Sequence, residues 1–184
     1  MDRVDTDGFN FNGKNETVLE KLEYKIGSGY DVHRLVSQRE LIIGGEKIDF
    51  HRGLEGHSDA DVLIHSVCDA ILGALGLGDI GDHFPDIDPE FKGISSMVLL
   101  EECRKLMEDQ GYKINNLDCI VFAQAPKISP HKAKMRKNMA EALNIDPDLV
   151  NVKATTTEKL GFIGKEQGIA AQCTLLIKSA AEDL

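Results

Sequence analysis

The segment from Gly56 to Gly78 sets the narrowest limit on what this chain can become. It opens Gly-His-Ser-Asp-Ala-Asp, runs through a long apolar stretch from Val62 to Leu77, and closes on Gly76-Leu77-Gly78. Ser58-Asp59-Ala60-Asp61 fits a helix start with Ser58 as N-cap and an acid three residues on, a variant of the capping box. Val62, Cys68, Ala70, Leu72 and Leu75 carry the helix to the glycines that stop it. His65, Asp69 and Gly73 interrupt the stretch. It therefore falls short of the roughly 18 uninterrupted apolar residues that a membrane span needs.

Strands surround this helix. Tyr24–His33 is Gly-interrupted, with Ile26, Tyr30 and Val32 on one alternating face, and Leu41–Ile48 is a second strand region turned by Gly44-Gly45. After the helix, Gly78 to Pro89 holds too many Gly, Asp and Pro residues to form an element. The spacing predicts a helix near Ser95–Gln110, a strand near Lys113–Gln124, a helix near Pro130–Leu143, and strands at Val150–Ala154 and Gly168–Lys178. The sum is a mixed α/β domain of about five strands and three helices over residues 24–184. Residues 1–23 carry six acids against three bases and few large apolar side chains, which predicts a flexible N-terminal extension.

Charge and cysteine content narrow the function. With 21 basic and 31 acidic residues the formal net charge is −10, and the basic residues are scattered, so a nucleic-acid partner is not expected. Cys68, Cys103, Cys119 and Cys173 form no C-x-x-C pair and read as reduced core thiols. The polar, acidic N-terminus has no apolar signal-peptide region. A cytoplasmic protein with no membrane partner follows.

Five short segments carry chemistry. Asp31 and His33 are two apart in a strand, so they share a face and suit a metal. His65 lies about two turns inside the helix, where a satisfied core histidine is one reading. Joined to Asp31 and His33, it is the third member of a two-histidine, one-carboxylate set suited to Zn²⁺ with an open position. His57, just ahead of the helix, can meet a phosphate at the free N–H groups there. Asp79, Asp82, Asp86 and Asp88 fall in one loop and suit hydroxyls or a divalent cation, or simply make a hydrophilic turn. Thr155, Thr156 and Thr157 end a strand and offer hydroxyls to a phosphate, and Glu158 offers an oxygen ligand for Mg²⁺; β-branched residues closing a strand are the plainer reading. Ala123 to Lys127 follows a strand and can present backbone groups to a planar base.

Taken together, the strings GYDVHRL, LIIGGEKI, GLEGHSDADVLIHSVCDAILGALGLGDIGDHFPD, AQAPKISPH and NVKATTTEKLGF resemble the 2-C-methyl-D-erythritol 2,4-cyclodiphosphate synthase family, in collinear order from about Lys25 to Lys178. The resemblance implies an α/β fold of α+β type. That fold is a single mixed-sheet domain with helices on one face, assembled as a homotrimer around a central β core with active sites at subunit interfaces. It implies a lyase of the non-mevalonate route to isoprenoid (terpenoid) precursors. Such an enzyme converts 4-diphosphocytidyl-2-C-methyl-D-erythritol 2-phosphate, a small cytidine diphosphate substrate, into the cyclic diphosphate and CMP.

Carried over by motif, Asp31, His33 and His65 would hold Zn²⁺ and Glu158 a Mg²⁺ or Mn²⁺. His57 and Thr156 would stabilise the transition state, with Ser58 and Thr155 lending hydrogen bonds and Thr157 also in the substrate-binding site. Asp86, Asp88 and Phe84 would shape the erythritol pocket, and Asp79 and Gly81 would meet the ribose. Ala123, Lys127, Ile128 and Ser129 would frame the cytosine. Phe162 and Lys165 correspond to the mouth of an apolar cavity on the trimer axis. A Zn²⁺-dependent phosphoester hydrolase would use the same three ligands, and a non-catalytic module would need a fourth protein ligand that the sequence does not offer.

Overall fold

The computed structural model describes residues 23–85, 91 and 93–180. Residues 1–22 of the expected extension, and the loop positions Asp86 and Asp88, lie outside the described residues.

The architecture is organised by one strand without side chains at two points. β1 (Tyr24–Ser37) carries Gly27 and Gly29 on the face that meets α1 (Val62–Leu75). A Cβ at Gly27 would lie 1.8 Å from the Ala70 carbonyl oxygen, and one at Gly29 would lie 2.1 Å from that of Ser66. The helix therefore rests directly on strand backbone, closer than any larger residue permits.

The remaining elements follow in chain order. β2 (Leu41–Ile43) and β3 (Glu46–Ile48) form an antiparallel hairpin. Gly44 and Gly45 turn it with φ of 62° and 66°, the positive-φ pair that suits a two-residue hairpin loop. β4 (Arg52–Leu54) precedes α1; α2 (Ile80–His83) and α3 (Ser96–Asp109) follow it. Then come β5 (Tyr112–Phe122), α4 (Lys132–Leu143), β6 (Val150–Thr155), α5 (Gly161–Gly164) and β7 (Gly168–Ser179). The main sheet has the order β4-β1-β7-β5-β6. All neighbours are antiparallel except β5 and β6, which are parallel, so the sheet is mixed.

α1, α3 and α4 cover one face. Leu63, Ile64, Ile71 and Leu72 of α1, Leu100 of α3, and Met135 and Met139 of α4 are fully buried with Leu117 of β5. The opposite face of β1 leaves Ile26, Tyr30 and Val32 exposed at 71%, 55% and 43%. These are the residues the alternation assigned to one face. Among the described residues, no helix is long and apolar enough to cross a membrane. All four cysteines are free and buried, as core thiols should be.

The helix start differs from the sequence expectation. The N-cap of α1 is Asp61, whose carboxylate accepts the Leu63 and Ile64 N–H groups, each at 3.1 Å. Ala60 has φ of +59°, which breaks the helix immediately upstream and leaves Ser58 in a turn, accepting the Ala60 N–H at 3.1 Å. Asp61 also accepts the hairpin N–H groups of Gly44 at 2.9 Å and Gly45 at 2.7 Å. One fully buried carboxylate thus joins the β2–β3 turn to α1.

The Gly/Asp/Pro stretch is not featureless either. Asp79 and Asp82 form a capping box around the single turn of α2, because each carboxylate there satisfies an N–H that a helix end leaves free. β4 and α5 are too short to leave a periodic trace.

Candidate metal centre and active-site cavity

The period of a strand puts Asp31 and His33 on the same face of β1 as Gly27 and Gly29. Because Gly29 touches the Ser66 carbonyl, the preceding residue of α1, His65, arrives beside them. Asp31 Oδ2 lies 2.8 Å from His33 Nε2 and 3.1 Å from His65 Nδ1. The two ring nitrogens are 3.1 Å apart. All three side chains are partly buried, and one ligand atom from each meets at a common point.

The electrostatics suit a cation. Burial pushes the Asp31 carboxyl up, but hydrogen bonds from His33 and then His65 outweigh it and hold it well below the usual carboxylate range. Burial works against a charged His33, but the hydrogen bond and charge of Asp31 raise it overall. His33 Nδ1 lies 2.7 Å from the Glu55 carbonyl oxygen, which can only accept, so Nδ1 holds a proton and Nε2 faces the cluster. The result is an N, N, O donor set with an oriented ligand, fit for a divalent cation.

The cluster opens on a cavity of about 280 Å³ that also takes in His57, Ser58, Asp69, Gly81 and Phe84. His57 Nε2 is buried without a hydrogen-bond partner. The backbone on either side of His57 is gripped by Arg39, whose guanidinium donates to the Gly56 and Ser58 carbonyls, each at 2.7 Å. The helix N–H groups expected to serve a phosphate beside His57 are occupied: Asp61 takes those of Leu63 and Ile64. Any role for His57 rests on its imidazole.

Asp79 spends one carboxylate oxygen on the Gly81 and Asp82 N–H groups. Phe84 packs edge-on against Phe91 at 5.5 Å between centroids, which gives the cavity an apolar wall. Asp69, one turn beyond His65, accepts the Ile80 N–H at 2.8 Å and ties α1 to α2. Burial, with Asp31 and Asp79 nearby, raises its carboxyl against that hydrogen bond. The i, i+4 spacing from His65 was the available signal for Asp69; Arg39 had none.

The remaining predicted residues lie elsewhere. Ala123, Lys127, Ile128, Ser129, Thr155 and Thr156 line a second cavity of about 370 Å³. Beside it, Thr156 Oγ1 donates to Glu158 Oε1 at 3.1 Å and Thr157 Oγ1 donates to the Leu160 carbonyl at 2.8 Å. Phe162 and Lys165 border a third groove of about 690 Å³ with Val32, Arg52 and Gln167. The first two cavities share no lining residue. β1 and β6 stand three strand spacings apart, about 14 Å. One chain thus divides the expected site between two places.

Comparison with known proteins adds an independent line. A sequence model of the YgbB family matches residues 24–178. The 2-C-methyl-D-erythritol 2,4-cyclodiphosphate synthase of Syntrophotalea carbinolica is 57% identical over 157 residues, covering 85% of this chain and 96% of that protein. Among solved structures, the bifunctional IspDF of Campylobacter jejuni superposes with a TM-score of 0.83 at 46% identity over 86% of this chain, which spans 43% of that longer protein. An IspF from Plasmodium falciparum, solved as a CDP complex, gives a TM-score of 0.76 at 38% identity, covering 86% of this chain and 97% of that one.

Proposed function

The chain belongs to the YgbB family, and on that footing we infer that it has 2-C-methyl-D-erythritol 2,4-cyclodiphosphate synthase activity. It is a lyase that turns 4-diphosphocytidyl-2-C-methyl-D-erythritol 2-phosphate into the 2,4-cyclodiphosphate and CMP, in the non-mevalonate route to isoprenoid precursors. The observation that carries this reading is the meeting of Asp31, His33 and His65 at the mouth of a cavity that also holds His57 and Ser58.

The donor set of two imidazoles and one carboxylate suits Zn²⁺ with a position left for substrate, and Glu158 offers the hard oxygen that suits Mg²⁺ or Mn²⁺. Bound there, the two cations would supply positive charge to phosphate oxygens.

The rest is done by the chain and the substrate. The nucleophile is the substrate's own 2-phosphate, already largely dianionic near pH 7 because its second pKa is about 6. Its oxygen attacks the β-phosphorus as the bond to the CMP oxygen breaks, so no protein nucleophile is required. The task is to fold a flexible, highly charged molecule onto itself, and good orientation can lower such a barrier by roughly 7–11 kcal/mol. His57, with its unpartnered buried Nε2, donates to oxygens that gain charge in the transition state, and the Thr156 hydroxyl, which rests on Glu158 Oε1, turns to them when a cation occupies that carboxylate. Ser58 and Thr155 add hydrogen bonds to the diphosphate, and Thr157, whose hydroxyl donates to the Leu160 carbonyl, lies beside them in the substrate-binding site. Asp79 and Gly81 meet the ribose, Phe84 borders the erythritol pocket, to which the family resemblance also assigns Asp86 and Asp88, and Ala123, Lys127, Ile128 and Ser129 frame the cytosine. The Phe84–Phe91 wall keeps water from competing for the phosphorus.

The division of the site between two cavities supports a homotrimer in which the base side of one chain faces the metal side of the next. The exposed stripe of Ile26, Tyr30 and Val32 supports a central β core, since an apolar stripe of this kind marks a contact surface. The cytoplasm is its place: four buried free thiols suit a reducing compartment.

Two variants test the arrangement. His65→Ala is expected to lose zinc and turnover together. Glu158→Gln should keep one zinc per chain and lose about 100-fold or more in turnover. If the site is shared between neighbours, unfolding and refolding the two variants as a 1:1 mixture should restore about a quarter of parental activity, because that share of interfaces pairs an intact His65 with an intact Glu158. Zinc retention by His65→Ala contradicts the ligand assignment, and a mixture as inactive as its components contradicts the shared site.

A further inference from the structure

The two histidines of the metal centre are oriented by different means. His33 rests against a main-chain carbonyl, which no side-chain substitution removes. His65 has no such carbonyl. Its Nδ1 faces the cluster, and its Nε2 lies 2.9 Å from Ser96 Oγ and 3.2 Å from Ser58 Oγ. Ser96 is the first residue of α3, fully buried, and 31 positions away in sequence.

The hydroxyl of Ser96 has a single proton. Asp59 claims it: Ser96 Oγ donates to Asp59 Oδ1, and the Ser96 N–H donates to Asp59 Oδ2 at 3.1 Å. A carboxylate is the stronger acceptor, so the serine oxygen is left only to accept from His65. Nε2 must then supply the proton, and the tautomer this favours is the one a cation requires, with the Nδ1 lone pair free to face it beside Asp31 and His33. The same loop is fastened to the start of α3 by main-chain bonds from Asp59 N–H to the Ile94 carbonyl at 3.0 Å and from Gly93 N–H to the His57 carbonyl at 2.9 Å.

We propose that Ser96, held by Asp59, is a positioning residue that sets the tautomer and ring orientation of His65 for metal binding. This rests on the reading that Asp31, His33 and His65 hold zinc. α3, which supplies none of the three ligands, thereby controls one of them. Outer partners of this kind commonly change metal affinity by 10–100-fold.

The test is zinc competition against a chromophoric chelator with the full chain at neutral pH. Ser96→Ala is expected to bind zinc about 10–100-fold more weakly than the parent. Asp59→Asn, which keeps the shape but removes the charge that claims the hydroxyl proton, serves where Ser96→Ala does not fold; it should also bind more weakly. In the zinc-loaded parent, proton NMR should show a downfield Nε2–H resonance of His65 protected from solvent exchange, and in the folded variant that protection should be lost. A merely structural serine would leave this proton unchanged. Zinc affinity in the variants within twofold of the parent, or an Nε2 proton equally protected without the hydroxyl, overturns the proposal while leaving the zinc site standing. A parent chain that binds no zinc overturns both.

Discussion

Gly29→Ala is expected to disable the candidate metal centre and to cost the fold about 3 kcal/mol, the upper part of the range for overpacking a tight contact. The added methyl would sit 2.1 Å from the Ser66 carbonyl oxygen and 2.9 Å from the Ala70 nitrogen, both main-chain atoms of α1. No rotamer change relieves a clash with backbone, so the helix must move by about an ångström to restore ordinary contact. His65 is the neighbour of Ser66 and moves with it, away from Asp31 and His33. A shift of that size at a site of this kind can cost on the order of 100-fold. Urea unfolding of the metal-free protein and chelator competition check the two parts separately. A folded Gly29→Ala chain with parental stability and zinc affinity would show that the helix–strand contact does not set the site.

Asp61→Ala should be more costly still, about 4 kcal/mol or more. The fully buried carboxylate satisfies four N–H groups from two elements: Gly44 and Gly45 in the hairpin turn, and Leu63 and Ile64 in the first turn of α1. Each buried donor left without a partner costs about 1–3 kcal/mol, and the four are not fully additive. Against a total stability of about 5–15 kcal/mol, the variant stands close to unfolding. Asp61→Asn keeps one acceptor oxygen, and that oxygen serves Gly44, Leu63 and Ile64 in the parent. It should recover a large part of the loss and leave the Gly45 N–H unpaired. The denaturation midpoints of the two variants check this order, and equal midpoints would contradict it.

These two positions also show where sequence reading works and where it stops. Periods of two and of 3.6 found every long element, because those patterns record which side of a strand or helix meets the core. The Gly44-Gly45 turn was legible because a two-residue hairpin loop needs positive φ at both positions. The start of α1 was not. Ser58, Asp59 and Asp61 are all good capping residues, and tertiary partners decide among them. Asp59 is drawn to Ser96 and Asp61 to the hairpin, while Ala60 takes the conformation that ends the loop.

The candidate metal ligands split the same way. The spacing of Asp31 and His33 puts them on one strand face, which suits a metal, although Asp-x-His by itself is common in strands. His65 lies on another element, and residue pattern alone could not separate it from a core histidine; its partners depend on the contact made possible by Gly29. Ser96 left no trace, since nothing local relates the first residue of a helix to a ring 31 positions earlier. Five collinear strings resembling one family supplied what local pattern could not.

The most direct measurement is the fate of the substrate in H₂¹⁸O. Purified protein with Zn²⁺ and Mg²⁺ is given 4-diphosphocytidyl-2-C-methyl-D-erythritol 2-phosphate and followed by ³¹P NMR and mass spectrometry. CMP and the cyclic 2,4-diphosphate are expected in equal amounts, with no ¹⁸O in either, because the attacking oxygen is the substrate's own. A linear product carrying solvent ¹⁸O would contradict it and make the centre formed by Asp31, His33 and His65 that of a hydrolase.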